Sequence, residues 1–86
     1  MVLKLIKNTS NGREVIDTLV DNEDVSKFMR DFDIDVENNI IYCGYEGETF
    51  SDEITDNIVY DINNILVQAY GEINTPEGRK PVYELI

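Results

Sequence analysis

The chain has no histidine, and its 86 residues include a single cysteine, Cys43. Without histidine, neither a Ser–His nor a Cys–His nucleophile pair can form. A lone cysteine allows no disulfide within the chain, and with one cysteine and no histidine the usual Cys and His sets of structural zinc sites cannot form. We therefore expect a protein that is not an enzyme and that needs no cofactor or metal.

Long apolar runs are also missing. No segment approaches the roughly 18 consecutive apolar residues that predict a membrane span. Lysines interrupt the apolar residues of segment 1–7, so no secretory signal is predicted there. We expect a soluble protein of the cytoplasm, in its own cell or in an infected host. A length of 86 residues predicts one domain, 1–86.

Basic residues are few. Seven Lys and Arg stand against 18 Asp and Glu, which gives a net charge of −11, whereas a small domain typically carries a magnitude of about 2–8. Self-repulsion at such a charge destabilises the compact state, and nucleic-acid phosphates would be repelled. The charge therefore disfavours direct nucleic-acid binding and favours a cationic protein partner, unless it serves solubility alone.

Two segments have the residue spacing of amphipathic helices. The first follows Asp21, a good N-cap, and its apolar side chains share one helical face as far as Phe32. The second is a longer stripe of Ile, Leu and Ala that predicts a helix over 52–70. Ser51 is its expected N-cap and Gly71 its expected stop.

Strands are expected over residues 2–7, 14–20, 31–37, 40–43 and 81–86. The Asn-Gly pair within 10–13 predicts a hairpin turn between the first two strands, and residues 75–78 predict another turn. The element order ββαββαβ predicts an α+β fold. We expect a two-layer sandwich, with a mostly antiparallel sheet of about four or five strands and two helices packed on one face.

The acidic residues are concentrated in one part of the chain. Residues 31–61 include ten acids and no Lys or Arg. Acidic and apolar residues alternate over 31–37, which predicts a strand with one fully acidic face. Same-face residues on a strand lie about 6.6–6.8 Å apart, so this face would resemble one strand of a nucleic-acid backbone in sign and periodicity. The segment does not fit an EF-hand, because Gly and Glu are missing at the sixth and twelfth loop positions.

A tyrosine adds to the predicted interface. Tyr60 is expected to point away from the apolar stripe of the long helix and to serve as an anchor among acids. It could instead pack beneath a loop or the last strand. The candidate partner-binding residues are Asp31, Asp33, Asp35, Glu37, Glu46, Glu48, Asp52, Glu53, Asp56 and Tyr60.

These features predict a small acidic protein that inhibits a nucleic-acid-binding protein, such as a nuclease, by occupying its cationic groove. By analogy, phage-encoded inhibitors of host restriction or CRISPR nucleases include proteins of this kind. An immunity protein that neutralises a basic nuclease toxin would use the same physics.

Two further classes of protein also fit the composition. One is a structural or regulatory subunit, whose contacts would lie on the apolar edge of the sheet. The second is a module that binds cations through its clustered carboxylates. The sequence gives no argument for or against a homodimer.

Overall fold

A computed structural model describes residues 2–47 and 53–86. Within this part of the chain the elements are β1 (Leu3–Thr9), β2 (Gly12–Leu19), α1 (Asn22–Asp31), β3 (Ile34–Asp35), β4 (Ile40–Ile41), α2 (Asp56–Tyr70), β5 (Glu72–Thr75), β6 (Gly78–Pro81) and β7 (Tyr83–Leu85). The fold is α+β, with two helices and antiparallel sheets, as the sequence predicts.

The expected sheet of four or five strands is wrong. The main sheet has three strands in the order β2-β1-β7, while β3-β4 and β5-β6 form separate two-stranded sheets. The strand expected over 31–37 shrinks to two residues because α1 extends to Asp31 and Asp33 adopts a left-handed φ of 57°. The strand expected over 40–43 also ends early, and Cys43 is exposed.

Two hairpins are closed by the same local chemistry. The Thr9 hydroxyl donates to the Gly12 carbonyl at 2.9 Å, and the Thr75 hydroxyl donates to the Gly78 carbonyl at 2.7 Å. Both glycines have positive φ, a conformation that glycine adopts without steric cost. The first turn confirms the Asn-Gly prediction. The second turn joins β5 to β6, two strands that the sequence analysis does not predict, and the expected last strand over 81–86 corresponds to β7.

Helix α1 confirms its predicted bounds to within a residue. The Asp21 carboxylate caps it by accepting from the Asp24 N–H at 2.9 Å. Helix α2 starts later than predicted, because Thr55 is the N-cap and its hydroxyl accepts from the Ile58 N–H at 3.4 Å. The predicted cap, Ser51, lies outside the described residues. Gly71, with φ of 74°, ends α2 as predicted.

One hydrophobic core joins the three-stranded sheet to both helices. Its buried residues are Leu3, Leu5, Leu19, Val25, Phe28, Met29, Ile34, Ile54, Ile62, Ile65, Leu66 and Leu85. Ile54, just before α2, is also buried in this core. The two-layer sandwich stays a prediction. Neither helix of the described chain has the length and apolar content to cross a membrane.

Candidate functional site

The predicted row of anions on a strand does not form. Asp31 is the last residue of α1, Asp33 lies in the turn that follows, and Asp35 is buried with 4% of its surface exposed. Glu37 is exposed, but it lies in the turn after β3. A regular acidic face needs several consecutive strand residues, and here helix, turn and strand follow one another too closely.

Asp33 stabilises a loop. Its Oδ1 atom accepts from the Gly44 N–H at 2.9 Å and from the Tyr45 N–H at 3.0 Å, while its carbonyl accepts from the Tyr42 N–H at 3.0 Å. A single residue therefore holds the segment after β4 against the end of α1. Its carboxylate therefore has a structural role in this loop, and its contact with a partner stays a prediction.

Asp35 is likewise a structural residue. Its carboxylate accepts from the Asn38 side-chain amide at 2.8 Å and from the Asn38 backbone N–H at 3.1 Å. The Asn38 side chain is the main reason that the pKa of Asp35 lies below its ordinary value, and a hydrogen bond with Tyr42 adds to this against the opposing effect of burial. The charge of Asp35 is stabilised inside the fold, so its prediction as an interface residue is wrong.

The remaining predicted acids outside α2 are dispersed. Asp31, Glu37 and Glu46 are exposed, on α1, the β3–β4 turn and the loop after β4. Glu53 is exposed just before α2, where it lines a cavity of about 110 Å³ with Asp21. Glu48 and Asp52 lie outside the described residues.

The outer surface of α2 brings acids and an aromatic ring together. Asp56, Asn57, Tyr60 and Asp61 are all exposed, and we call them the acidic α2 face. Tyr60 is 67% exposed, so it does not pack beneath a loop. Asp56 lies one turn before Tyr60 on the same side of the helix.

The orientation of this face is fixed from the opposite side of α2. Ile62, Ile65 and Leu66 are buried in the core. The Asn63 side-chain amide donates to the Leu85 carbonyl at 3.0 Å, and the Leu85 N–H donates to Asn63 Oδ1 at 2.7 Å. Burial and this paired hydrogen bond together leave Tyr60 on the solvent side.

The acidic α2 face lies in a part of the chain without positive charge. No Lys or Arg occurs between Arg30 and Arg79, and α2 itself has none. Arg13 and Lys80 instead line a cleft of about 240 Å³ between the two hairpins, where Glu77 and Glu84 balance them. Charge is therefore unevenly distributed along the chain, and α2 with its flanking segments is purely anionic in sequence.

Asp61 is the site residue missing from the sequence-based prediction. The alternation of acids over 31–37 favours a site on a strand, and Asp61 lies far from that segment in the chain. Helical spacing offers the signal that finds it, since Asp61 lies 100° from Tyr60 on the exposed side of α2.

Within residues 2–47 and 53–86, no three His, Cys, Asp or Glu side chains cluster as metal ligands would. Comparisons with protein-family models, with curated proteins and with solved structures found no match to this chain. The candidate function therefore depends on the chemistry of the acidic α2 face.

Proposed function

We propose that this protein is a non-catalytic inhibitor that binds, through the acidic α2 face, the cationic groove of a nucleic-acid-binding protein in the cytoplasm. Bound there, it would exclude the nucleic acid by competition. The observation that carries the proposal is the exposure of Tyr60 between Asp56 and Asp61 on a helix that has no Lys or Arg.

An exposed tyrosine among uncompensated acids fits a binding surface. Tyrosine buries a large area with little loss of side-chain entropy and is enriched among residues that dominate binding energy. Asp56 and Asp61 are five residues apart, about 7.5 Å along the helix axis. Lys and Arg of a partner could pair with both acids while Tyr60 packs between them, and the negative field would speed their encounter.

The fold supports this use of α2. A two-layer packing of both helices on the three-stranded sheet would leave the acidic α2 face free. The proposed mimicry depends on charge and on one aromatic anchor, and it does not need the regular spacing of a phosphate backbone. An immunity protein directed at a basic nuclease would use the same face.

A second candidate role is that of a structural or regulatory subunit. Strand β2 lies at an edge of the main sheet, and its Val15 and Ile16 side chains are exposed. Contacts there would be apolar, so this association would not weaken as salt is raised.

The experiment is a pull-down with tagged protein from a lysate of the cells that produce it. Bound proteins are eluted first with duplex DNA at low salt and then with stepwise salt. The proposal predicts a basic nucleic-acid-binding protein that both treatments release. A captured protein that neither DNA nor salt releases would contradict the proposal and favour an association through the β2 edge.

A further inference from the structure

An open apolar groove lies beside the acidic α2 face. It has a volume of about 250 Å³ between the β3–β4 hairpin and the second half of α2, and its lining residues are Asn39, Ile40, Ile41, Ile65, Gln68 and Ala69. Ile65 is buried at its floor, and Ile40 is 46% exposed at its rim. Asn39, with φ of 56°, makes the turn that leads into Ile40.

The residues that line this groove carry no charge, and the charged residues next to them in the sequence are acids. Both walls come from the part of the chain that lacks Lys and Arg. Asp61 precedes Ile65 by one helical turn, and its carboxylate is exposed between the acidic α2 face and the groove, outside the groove's lining. Glu37 is exposed two residues before Asn39, in the turn at the other wall.

We infer that this groove receives an apolar side chain of the partner that is flanked in the partner's sequence by Lys or Arg. The inference rests on the proposed function, because the groove and the acidic α2 face share the helix α2. A flanking cation would pair with Asp61 or Glu37 while the apolar side chain covers Ile40 and Ile65.

Charge complementarity selects this occupant over others. A wholly apolar segment would leave the nearby carboxylates desolvated and unpaired, which is costly. A second copy of the chain would bring acids of like charge together, since each copy carries a net charge of −11. In a basic segment with one apolar side chain, that side chain would cover the apolar floor of the groove, and the cations would pair with the nearby carboxylates.

The test uses two peptides, acetyl-Lys-Lys-Leu-Lys-Lys-amide and the same peptide with Ser in place of Leu. Methyl NMR spectra of Ile40, Ile65 and Ala69 are recorded at matched ionic strength. The peptide concentration reaches about 10 mM, where even a Kd near 1 mM would be saturated. We expect saturable methyl shifts with the Leu peptide and markedly smaller shifts with the Ser peptide. Equal shifts with both peptides, or no shifts, would overturn the inference.

Two variants locate the binding in the protein. Ile40→Ser should reduce the shifts of Ile65 and Ala69 with the Leu peptide to the level of the Ser peptide. Val15→Ser is the matched control, since Val15 is 52% exposed on β2, and it should leave those shifts unchanged. Equal effects of the two substitutions would contradict a site in the groove.

The inference about the groove and the proposed function can be contradicted by different results. If Asp56→Lys weakens retention of the captured partner and Ile40→Ser does not, the groove inference is wrong and the acidic α2 face stands. If the Leu peptide binds the groove but Asp56→Lys leaves partner retention unchanged, the proposed function is wrong.

Discussion

Asn63 on α2 makes two hydrogen bonds to one residue of β7, accepting from the Leu85 N–H and donating to the Leu85 carbonyl. Strand β7 is an edge strand whose other side pairs with β1. The amide of Asn63 therefore satisfies backbone groups on the outer side of β7, which would otherwise lie open. Because this pair joins helix to sheet, it also sets which side of α2 faces solvent.

Replacing Asn63 with Ala should lower the free energy of unfolding by about 1–3 kcal/mol, because two partly buried backbone groups would lose their partners. Urea unfolding measures this change. Asn57→Ala, on the exposed side of the same helix, is the control and should change stability by less than about 0.5 kcal/mol. Equal losses in both variants would contradict a specific contribution of the paired hydrogen bond, because alanine has the higher helix propensity at both positions.

Replacing Asp33 with Ala should loosen the loop after β4. Two backbone N–H groups lose their acceptor, and alanine is unfavourable at a φ of 57°. We expect a loss of roughly 1 kcal/mol and faster amide hydrogen exchange at Gly44 and Tyr45. Asp33→Asn retains an acceptor oxygen and tolerates the left-handed conformation, so it should keep most of the protection. Unchanged exchange in the Ala variant would contradict the role of Asp33.

Asp35 should make stability depend on pH in the acid range. Its pKa in the folded state is lowered, chiefly by the Asn38 side chain, from an ordinary value of 3.8. A lowered folded pKa means that the ionised carboxylate stabilises the fold above the unfolded pKa, and that this contribution disappears as pH falls through the folded pKa.

Unfolding free energies of the wild type and Asp35→Asn should therefore be compared from pH 7 down to about pH 2. The difference between the two proteins should be largest at neutral pH and should shrink below about pH 4. Protonation of the other carboxylates at low pH also relieves charge repulsion, but it does so in both proteins and therefore cancels in the difference. A difference that does not change with pH would contradict the assigned role of Asp35.

Local patterns are sufficient to predict several elements of the fold. Helix α1 follows from the Asp21 cap and its apolar spacing, and the first hairpin follows from Asn11 and Gly12. The alternation over 31–37 wrongly predicts a seven-residue strand. Asp33 interrupts that strand, because its carboxylate accepts hydrogen bonds from the N–H groups of residues 44 and 45. Such a medium-range contact leaves no periodic signal in the sequence.

The candidate site is predictable only in part. The exposure of Tyr60 and Asp56 follows from helical spacing, because the core side of α2 is marked by its isoleucines. The burial of Asp35 does not, since an aspartate in a polar segment is expected at the surface. Composition indicates an excess of acids over bases, while the positions of Asp33 and Asp35 depend on hydrogen bonds that composition does not reveal.

The central claim is that the acidic α2 face binds the partner. The most direct measurement compares retention of the captured partner, at fixed ionic strength, by an Asp56→Lys/Asp61→Lys variant and by a Glu14→Lys/Glu77→Lys variant. All four acids are exposed, and the two variants have the same net charge. We predict that reversal on α2 weakens the affinity roughly tenfold or more, whereas reversal on the hairpins changes it little. Equal weakening would show that only net charge matters, and unchanged affinity in the α2 variant would contradict the claim outright.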